Sequence, residues 1–187
     1  VYTLASDSLK FTAGGTSKTI SAVIVDDALD ENNEKFVVTL TGTADNVTIG
    51  TDAAQTVTIT DNDAPPKIAF SASNASGKEA VTPVSIVAEI SEVSGLDVTA
   101  DYAMTGTATG SNNDYSLADG TVSILAGSTT KTLSLTVVDD KVVEEDETVI
   151  ATLSNPTNST LGTNKTHTYT IANDDSPPAD FTVDTVI

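Results

Sequence analysis

The amino-acid sequence predicts an all-β protein built from tandem antiparallel β-sandwiches. Two observations predict it: short segments alternate apolar and polar residues with a period of two, and a long stretch of sequence recurs 113 residues further along the chain. The composition agrees, because Thr, Ser, Val, Ala and Asp dominate while aromatic residues make up only 4%. Such residues favour short strands with small side chains, and no segment predicts a long helix.

The recurring stretch relates two parts of the chain. The sequence "VYTLASDSLKFTAGGTSKTISAVIVDD" begins at Val1, and "DYSLADGTVSILAGSTTKTLSLTVVDD" begins at Asp114. After a slip of one residue, "ITDNDAPP" from Ile59 matches "IANDDSPP" from Ile171. A period of about 110 residues is the size of one β-sandwich domain, and it is too long for a solenoid repeat.

The register of the repeat predicts an incomplete first copy. We interpret residues 1–63 as the C-terminal half of a repeat, 64–66 as a linker and 67–175 as a complete repeat. Residues 176–178 form a second linker, stiffened like the first by two prolines, and 179–187 form either the first strand of a following repeat or a strand donated to another chain. We therefore expect a window from a longer tandem array, in which the missing strands are lost or come from another chain.

The strands of the complete repeat follow from its alternation. In "KTLSLTVV", Leu133, Leu135 and Val137 occupy one face of a strand and polar residues occupy the other. Seven short strands in about 110 residues indicate an immunoglobulin-like antiparallel sandwich with Greek-key connections. The predicted strands span 67–73, 82–91, 97–105, 120–125, 131–138, 147–154 and 165–172.

The charge balance excludes several classes of partner. There are 27 acidic residues against eight basic ones, all lysine, and the net charge is −19. Nucleic acids and anionic membrane surfaces are bound by clusters of basic residues, so we expect neither as a partner. The chain has no cysteine for disulfides or thiolate metal sites, and no apolar run approaches the ~20 residues that direct membrane insertion needs.

Acidic residues of the complete repeat cluster at the ends of its strands. They lie at Glu79, at Asp114, in the 139–147 segment, where six of nine residues are acidic, and at Asp174–Asp175. Alternate connections of a sandwich meet at one end, so these places can converge. Two unit charges ~5 Å apart repel by roughly 3 kcal/mol at an effective dielectric constant near 20. Bound Ca²⁺, which takes 6–8 oxygen ligands, would offset this repulsion; the alternative is a solvated loop that keeps strand edges from pairing.

The second copy resembles the Calx-beta domain, a repeat found in sodium–calcium exchangers, integrin β4 and many bacterial surface proteins. The resemblance rests on the DY start, the glycine-containing turn, the VDD…E..E segment and the NDD exit in "DYSLADGTVSILAGSTTKTLSLTVVDDKVVEEDETVIATLSNPTNSTLG…YTIANDD". It extends over the whole second repeat and the C-terminal half of the first. The resemblance implies a seven-stranded sandwich, and several members of the family bind Ca²⁺ through loops at one end.

Carried over by position, the resemblance implies two sets of Ca²⁺ ligands. In the complete repeat the implied ligands are Glu79, Asp114, Asp139, Asp140, Glu144, Glu147, Asp174 and Asp175. In the first repeat they are Asp26, Asp27, Glu31, Glu34, Asp61 and Asp63. We expect the first site to be weaker or incomplete, because it has Val1 at the position of Asp114 and no counterpart of Glu79.

Two further acids of the 139–147 segment are expected to be only solvated. Glu145 and Asp146 become Asn32 and Asn33 in the first copy, so they are not part of the shared acidic pattern. Asn62 and Asn173 likewise stand where the exit triplet of the family carries acids.

The function that we expect from these features is structural. The chain is interpreted as a repeat module of a large adhesin or filament, secreted or on the cell surface, in which Ca²⁺ at the sandwich ends stiffens the joints between repeats. Its partners would be neighbouring repeats and other copies in a filament. The alternatives are a calcium-sensing regulatory domain of a membrane protein and a fibre subunit that assembles head to tail by β-strand addition.

We do not expect an enzyme. His167 is the single histidine and has no Ser or Asp placed to form a catalytic triad. Paired carboxylates can hydrolyse glycosides, but the aromatic side chains that line sugar sites are nearly absent.

Overall fold

The computed structural model describes residues 2–42, 47–111 and 113–177, and these divide between two compact units. Unit 1 is Val1–Ala64 and unit 2 is Pro65–Ile187. The described residues form strands, turns and extended segments without any helix. The predicted terminal strand at 179–187 lies outside the described residues.

Unit 1 contains two short antiparallel pairs of strands. The four strands are β1 (Tyr2–Thr3), β2 (Val23–Ile24), β3 (Glu34–Thr39) and β4 (Ala54–Ile59). Strand β1 pairs with β2, and β3 pairs with β4. Phe36 on β3 is buried, and the ring of Tyr2 stacks on it with 4.0 Å between ring centroids.

Unit 2 is a sandwich of two five-stranded sheets. Its strands are β5 (Lys67–Phe70), β6 (Asn74–Lys78), β7 (Val84–Ile90), β8 (Val98–Gly106), β9 (Tyr115–Ser116), β10 (Gly120–Ile124), β11 (Thr130–Val137), β12 (Glu147–Thr157), β13 (Thr160–Leu161) and β14 (Thr166–Ala172). One sheet has the order β10-β8-β12-β14-β6 and the other has the order β13-β5-β7-β11-β9. Neighbours within a sheet are rarely consecutive in the chain, so the connections cross between the sheets, as in Greek keys.

The core of unit 2 lies between its two sheets and follows the predicted alternation. Along β11, the side chains of Leu133, Leu135 and Val137 are buried while those between them are exposed. Strand β12 repeats the pattern with Val149 and Ala151. A period of two places every second side chain on the same face, so one buried face for each sheet is sufficient to form the core.

The predicted all-β sandwich is confirmed, and each of the seven predicted strands overlaps an observed one. Three short strands, β6, β9 and β13, were not predicted. The sequence of β6, "NASGK", has no apolar alternation, and the strand exists because it pairs in parallel with β14. Gly77 allows this close approach, since a side chain there would collide with the hydroxyl of Tyr169.

The strand β12 extends further than the sequence predicted. It continues to Thr157 past an irregularity between Ser154 and Thr157, where Asn155 has a φ of 47°. The prediction ended this strand at residue 154, but Asn tolerates the left-handed conformation, and the strand resumes its pairing with β8 at Thr157.

The strand register is the same in the two units. Tyr2 is opposite Ile24 in unit 1, as Tyr115 is opposite Val137 in unit 2. All six pairs from β3 and β4 have their counterparts, at the matching positions, in β12 and β14. The sequence repeat is therefore also a structural repeat.

The buried face of β11 gives a first test of the fold. Leu135 is fully buried, so Leu135→Ala should lower the free energy of unfolding by roughly 2–5 kcal/mol through lost transfer free energy and a new cavity. Its neighbour Ser134 is exposed, and Ser134→Ala should change that free energy by no more than about 0.5 kcal/mol. Urea denaturation of both variants measures the difference, and equal effects would contradict the assigned faces.

Candidate metal centre

Four chain segments of unit 2 bring acidic side chains to one end of the sandwich. Glu79 follows β6, Asp114 precedes β9, the 139–147 loop joins β11 to β12, and Asp174 and Asp175 follow β14. Three groups of carboxylates each have one oxygen per residue within 4.8 Å of the others. The groups are Glu79 with Asp139 and Asp174, Glu79 with Asp140 and Asp175, and Asp114 with Glu144 and Glu147. Together they contain all eight positions that the resemblance implied for this repeat.

Glu79 is the residue that two of these groups share. It is only 5% exposed. Burial raises the pKa of its carboxyl, and the nearby Asp175, Asp140 and Asp174 carboxylates raise this pKa further. The backbone N–H of Asp140 donates a hydrogen bond to Glu79, which acts in the opposite direction. Glu79 is therefore a buried carboxyl surrounded mainly by like charge.

Hydrogen bonds to the backbone and to the side chain of Asp114 hold this residue in the third group. Its N–H donates to the Thr109 carbonyl at 3.0 Å, while its carboxylate accepts the N–H of Thr109. Its own carbonyl accepts the N–H of Val138 at 2.9 Å, at the end of β11. This fixes the carboxylate of Asp114 beside the acidic loop.

The two glutamates of the third group have perturbed protonation. Burial, together with the charge of Asp114 and a hydrogen bond to that residue, raises the pKa of Glu147 to about 7. Burial and the charges of Asp114, Asp140 and Asp175 also raise the pKa of Glu144. Both shifts mean that the folded unit disfavours the ionised carboxylates unless a positive charge is supplied.

Hydrogen bonds within the acidic loop show a role that sequence reasoning missed. Asp146 is exposed, as expected, but its Oδ1 accepts the N–H of Asn173 at 3.2 Å and so joins the loop to the exit of β14. Asp140 Oδ1 accepts the N–H of Val142 at 2.7 Å. The sequence did carry a signal of this role. Asn33 stands at the position of Asp146 in the first repeat, and its side-chain amide oxygen can accept the same hydrogen bond.

The donor set fits a hard divalent cation. Within the described residues there is one lysine–carboxylate ion pair, between Lys78 Nζ and Asp174 Oδ2 at 3.9 Å, and Lys78 is exposed. Asp175 Oδ2 is buried without a hydrogen-bond partner. Carboxylate oxygens in a flexible, irregular arrangement suit Ca²⁺, whereas Mg²⁺ requires a tight octahedron and keeps several waters.

Unit 1 has a related but less complete cluster. All six acids implied there, Asp26, Asp27, Glu31, Glu34, Asp61 and Asp63, line one surface depression. Burial raises the pKa of the Asp63 carboxyl most. The charges of neighbouring aspartates, Asp61 first among them, raise this pKa further. Within 2–42 and 47–64, however, no three carboxylates approach one another as closely as the groups of unit 2.

The framework of the unit 1 cluster repeats that of unit 2. Asp27 Oδ1 accepts the N–H of Leu29 at 3.0 Å, as Asp140 does from Val142. Asn33 Oδ1 accepts the N–H of Asp61 at 2.9 Å. This hydrogen bond corresponds to the one between Asp146 and Asn173 in unit 2. The loop conformation is therefore shared, and what differs is the number of acids that reach it.

His167 lies away from the acidic end, in the core side of β14. Its Nδ1 is 2.8 Å from the carbonyl oxygen of Ala72, and its ring lies 5.9 Å from that of Phe70. These contacts describe a buried histidine packed within the sheet.

Comparison with known proteins identifies the family. The family model described as "Calx-beta domain" matches residues 1–63 and again residues 61–175. The chain belongs to the Calx-beta family. The resemblance stated from the sequence motifs is thereby confirmed.

Solved structures of Calx-beta domains have the same fold. The apo form of the Calx CBD1 domain is 23% identical, with a TM-score of 0.54, and the match covers 59% of this chain and 98% of that one. The calcium binding domain CBD12 of CALX1.1 is 23% identical, with a TM-score of 0.54 over 58% of this chain. The match covers 45% of the length of that chain. At this identity the similarity establishes the fold.

The described residues contain no helix that is long and apolar enough to cross a membrane.

The raised pKa values predict how the stability of the metal-free protein depends on pH. A carboxyl whose folded-state pKa lies above its unfolded value binds a proton on folding, so it stabilises the fold below the unfolded pKa and loses this contribution as pH rises through the folded pKa. The melting temperature in chelator should therefore increase as pH falls from about 7.5 to about 5, because Glu147 titrates near 7.

Glu147→Gln provides the control for this pH series, since the amide cannot ionise. Its melting temperature should vary less between the same two pH values. A metal-free wild-type protein that loses stability on acidification through this range would contradict the assigned environment of Glu147. Differential scanning calorimetry measures both proteins.

Proposed function

We propose that unit 2 binds Ca²⁺ through the carboxylates at its acidic end. The observation that carries this proposal is Glu79, which is buried and belongs to two of the three carboxylate groups. The unpartnered, buried Oδ2 of Asp175 supports it, because a buried acceptor without a partner costs free energy that a cation would recover. The calcium binding domain CBD12 of CALX1.1 is a solved relative of this fold, which adds support from the family.

Residues from four segments would hold the ion. Two of the carboxylate groups share Glu79: one adds Asp139 and Asp174, and the other adds Asp140 and Asp175. The third group consists of Asp114, Glu144 and Glu147. When bound, Ca²⁺ supplies positive charge to oxygens that otherwise repel one another. The proposed role is binding without catalysis.

The mechanical consequence follows from the place of two of these ligands in the chain. Asp174 and Asp175 are the last acids before the predicted linker at 176–178, where two prolines restrict the backbone. Fixing these carboxylates to Glu79 would tie the exit of β14 to the body of the sandwich. We therefore propose that the chain is a structural repeat module in which Ca²⁺ stiffens the joint to a neighbouring repeat.

An extracellular adhesin or filament is the setting that these features support. Extracellular calcium modules bind with dissociation constants of about 10⁻⁴–10⁻³ M and so remain loaded outside cells. The net charge of −19, with no arginine, favours solubility in such a setting, and tandem sandwiches joined by short proline linkers are suited to span distance.

A calcium-sensing regulatory domain of a membrane protein is the second candidate. The observation that favours it is the similarity to CBD12 of CALX1.1, described as a calcium binding domain. A sensor requires affinity near intracellular Ca²⁺ levels, with dissociation constants of about 10⁻⁷–10⁻⁵ M, whereas the structural module works with a weaker site. The measured affinity therefore separates the two candidates.

Thermal denaturation with and without Ca²⁺ tests the binding. Saturation at about 100 times the dissociation constant adds about 2.7 kcal/mol, which should raise the melting temperature of unit 2 by roughly 5–15 °C relative to chelator. Glu79→Gln should abolish most of this increase, while Glu89→Gln, on an exposed position of β7, should leave it unchanged. Identical melting temperatures with Ca²⁺ and with chelator would refute calcium binding.

The stiffening of the joint has its own test. The chain has no native cysteine, so spin labels can be placed specifically at Ser134→Cys, an exposed position of unit 2, and at Thr182→Cys, beyond the linker at 176–178. Ca²⁺ should narrow the distribution of label-to-label distances measured by double electron–electron resonance, and Glu79→Gln should prevent the narrowing. A distribution that keeps its width in the calcium-loaded protein would contradict the stiffening while leaving calcium binding intact.

A further inference from the structure

Among the described residues, the two sheets of unit 2 end in four edge strands, β10, β6, β13 and β9. Three of these edges are protected against pairing with another chain. Strands β9 and β13 have only two residues each, and β6 ends in Lys78, whose Nζ lies 3.9 Å from Asp174 Oδ2. Very short edge strands and edge lysines both discourage edge-to-edge association. The fourth edge strand, β10, has neither device.

Strand β10 is firmly held and has an uncharged edge. Its sequence "GTVSI" contains no charged residue and no proline. Val122 and Ile124 are each 1% exposed, which anchors the strand to the core. Within the part of the chain that the structure describes, β10 pairs with β8 alone. The backbone groups on its other side are therefore available to a further strand.

The first repeat shows that this uncharged edge is particular to unit 2. The residues that align with β10 there are "DSLKF", at 7–11, and these described residues form no strand. They carry Asp7 and Lys10, and Lys10 stands at the position of Ser123. A charge at this position of an edge strand would oppose pairing, and unit 2 lacks it.

The carboxylates that flank β10 are engaged within unit 2. Asp119, directly before the strand, accepts the N–H of Met104 at 2.7 Å. Asp101 on the adjacent strand accepts the hydroxyl of Thr121 at 2.9 Å, and Asp97 accepts a backbone N–H of its own unit at 2.8 Å. In a chain with a net charge of −19, the uncharged edge is thus a place where a second copy can approach with little local repulsion.

Leu125 indicates the register of such a contact. It directly follows β10 and is 63% exposed. If two β10 strands pair antiparallel with Ser123 opposite Ser123, Leu125 of one copy lies beside Thr121 of the other and contacts its methyl group. A register centred on Val122 would instead place Leu125 beside Asp119. The register centred on Ser123 therefore covers the exposed apolar side chain.

We propose that the free edge of β10 binds β10 of a second copy of this chain, antiparallel and centred on Ser123. The two five-stranded sheets then continue into one another through backbone hydrogen bonds. Val122 of one copy lies opposite Ile124 of the other, so the buried faces of both strands remain on the same side. A two-fold arrangement of this kind fills both open edges at once, whereas a single unrelated peptide fills only one.

The contact is small, so the pairing is weak and reversible. A five-residue strand pair falls in the class of interfaces below about 1,200 Å² of total buried area, which is typical of transient association. Weak contacts become cohesive when several act together along linked modules. This consequence rests on the proposed role as a repeat module, whereas the pairing of β10 does not.

Cysteine cross-linking of the full chain tests the register. Directly opposed residues of an antiparallel pair have Cβ atoms about 4.5–5.5 Å apart, close to the about 3.5–4.5 Å of a disulfide. The chain has no native cysteine, so Ser123→Cys should give a disulfide-linked dimer on mild oxidation, at about 0.15 M salt to screen the net charge. The control is Ser76→Cys on β6, the other edge of the same sheet.

The initial rate of dimer formation, measured by non-reducing electrophoresis, should be at least about tenfold higher for Ser123→Cys than for Ser76→Cys. Random collision predicts the opposite order, because Ser76 is exposed and Ser123 is only partly exposed. In the Ser123→Cys background, Leu125→Ser should slow the reaction. Val81→Ser, a change at a residue that is 51% exposed and follows β6, should not.

Hydrogen–deuterium exchange tests the pairing without a covalent trap. In the unmodified chain, exchange of the Gly120–Ile124 amides should slow as the protein concentration rises over about a 20-fold range, while the amides of β12 should not change. Ser123→Lys should remove this dependence, because the two lysines would face each other. Ser134→Lys, at an exposed position of β11, should preserve it.

Two results would overturn the proposal. The first is a Ser76→Cys variant that cross-links as fast as Ser123→Cys, because the dimer would then arise from collision or through another edge. The second is exchange in β10 that is independent of protein concentration. Neither result would bear on calcium binding, since β10 carries none of the proposed ligands.

Discussion

The burial of Glu79 among other carboxylates is the constraint on which the acidic end of unit 2 depends. Its side chain is almost fully buried beside Asp140 and Asp175, and in the described part of the chain the one lysine that forms an ion pair at that end is Lys78, which is itself exposed. Surface ion pairs contribute about 0–1 kcal/mol, too little to offset several close carboxylate pairs. A divalent cation is the partner that makes the arrangement favourable. Two of the proposed ligands, Asp174 and Asp175, lie just before the predicted proline linker, and the proposed stiffening of the joint rests on this position.

The repeat imposes one strand register on both units, and the differences between the units follow from what each contains. Tyr2 and Ile24 pair as Tyr115 and Val137 do, and the acidic loops share their internal hydrogen bonds. Among the residues that the structure describes, only those of unit 2 form the strands β5–β8. Those strands both cover the core and bring Glu79 to the acidic end. The less complete acidic cluster of unit 1 therefore follows from the strands that its described residues lack.

Local sequence predicted the features that depend on alternation and on repeated motifs. The buried positions of β11, such as Leu135, and the convergence of Asp114 with Glu147 followed from period-two patterning and from the meeting of loops at one sandwich end. Strand β6 could not be predicted, because its "NASGK" sequence becomes a strand only by pairing with β14. The hydrogen bond from Asn173 to Asp146 likewise depends on two segments that are distant in sequence. Tertiary pairing decided both.

The measurement that tests the central claim most directly is a crystal structure of the chain grown with Ca²⁺, with anomalous diffraction data to locate the ion. Oxygens of Glu79 should lie about 2.3–2.6 Å from a peak, together with oxygens from the aspartates of at least one of its two groups. Such a peak would identify Ca²⁺ as the charge that stabilises the acidic end. Well-ordered carboxylates around Glu79 with no anomalous peak among them, at a Ca²⁺ concentration of several millimolar, would contradict the account.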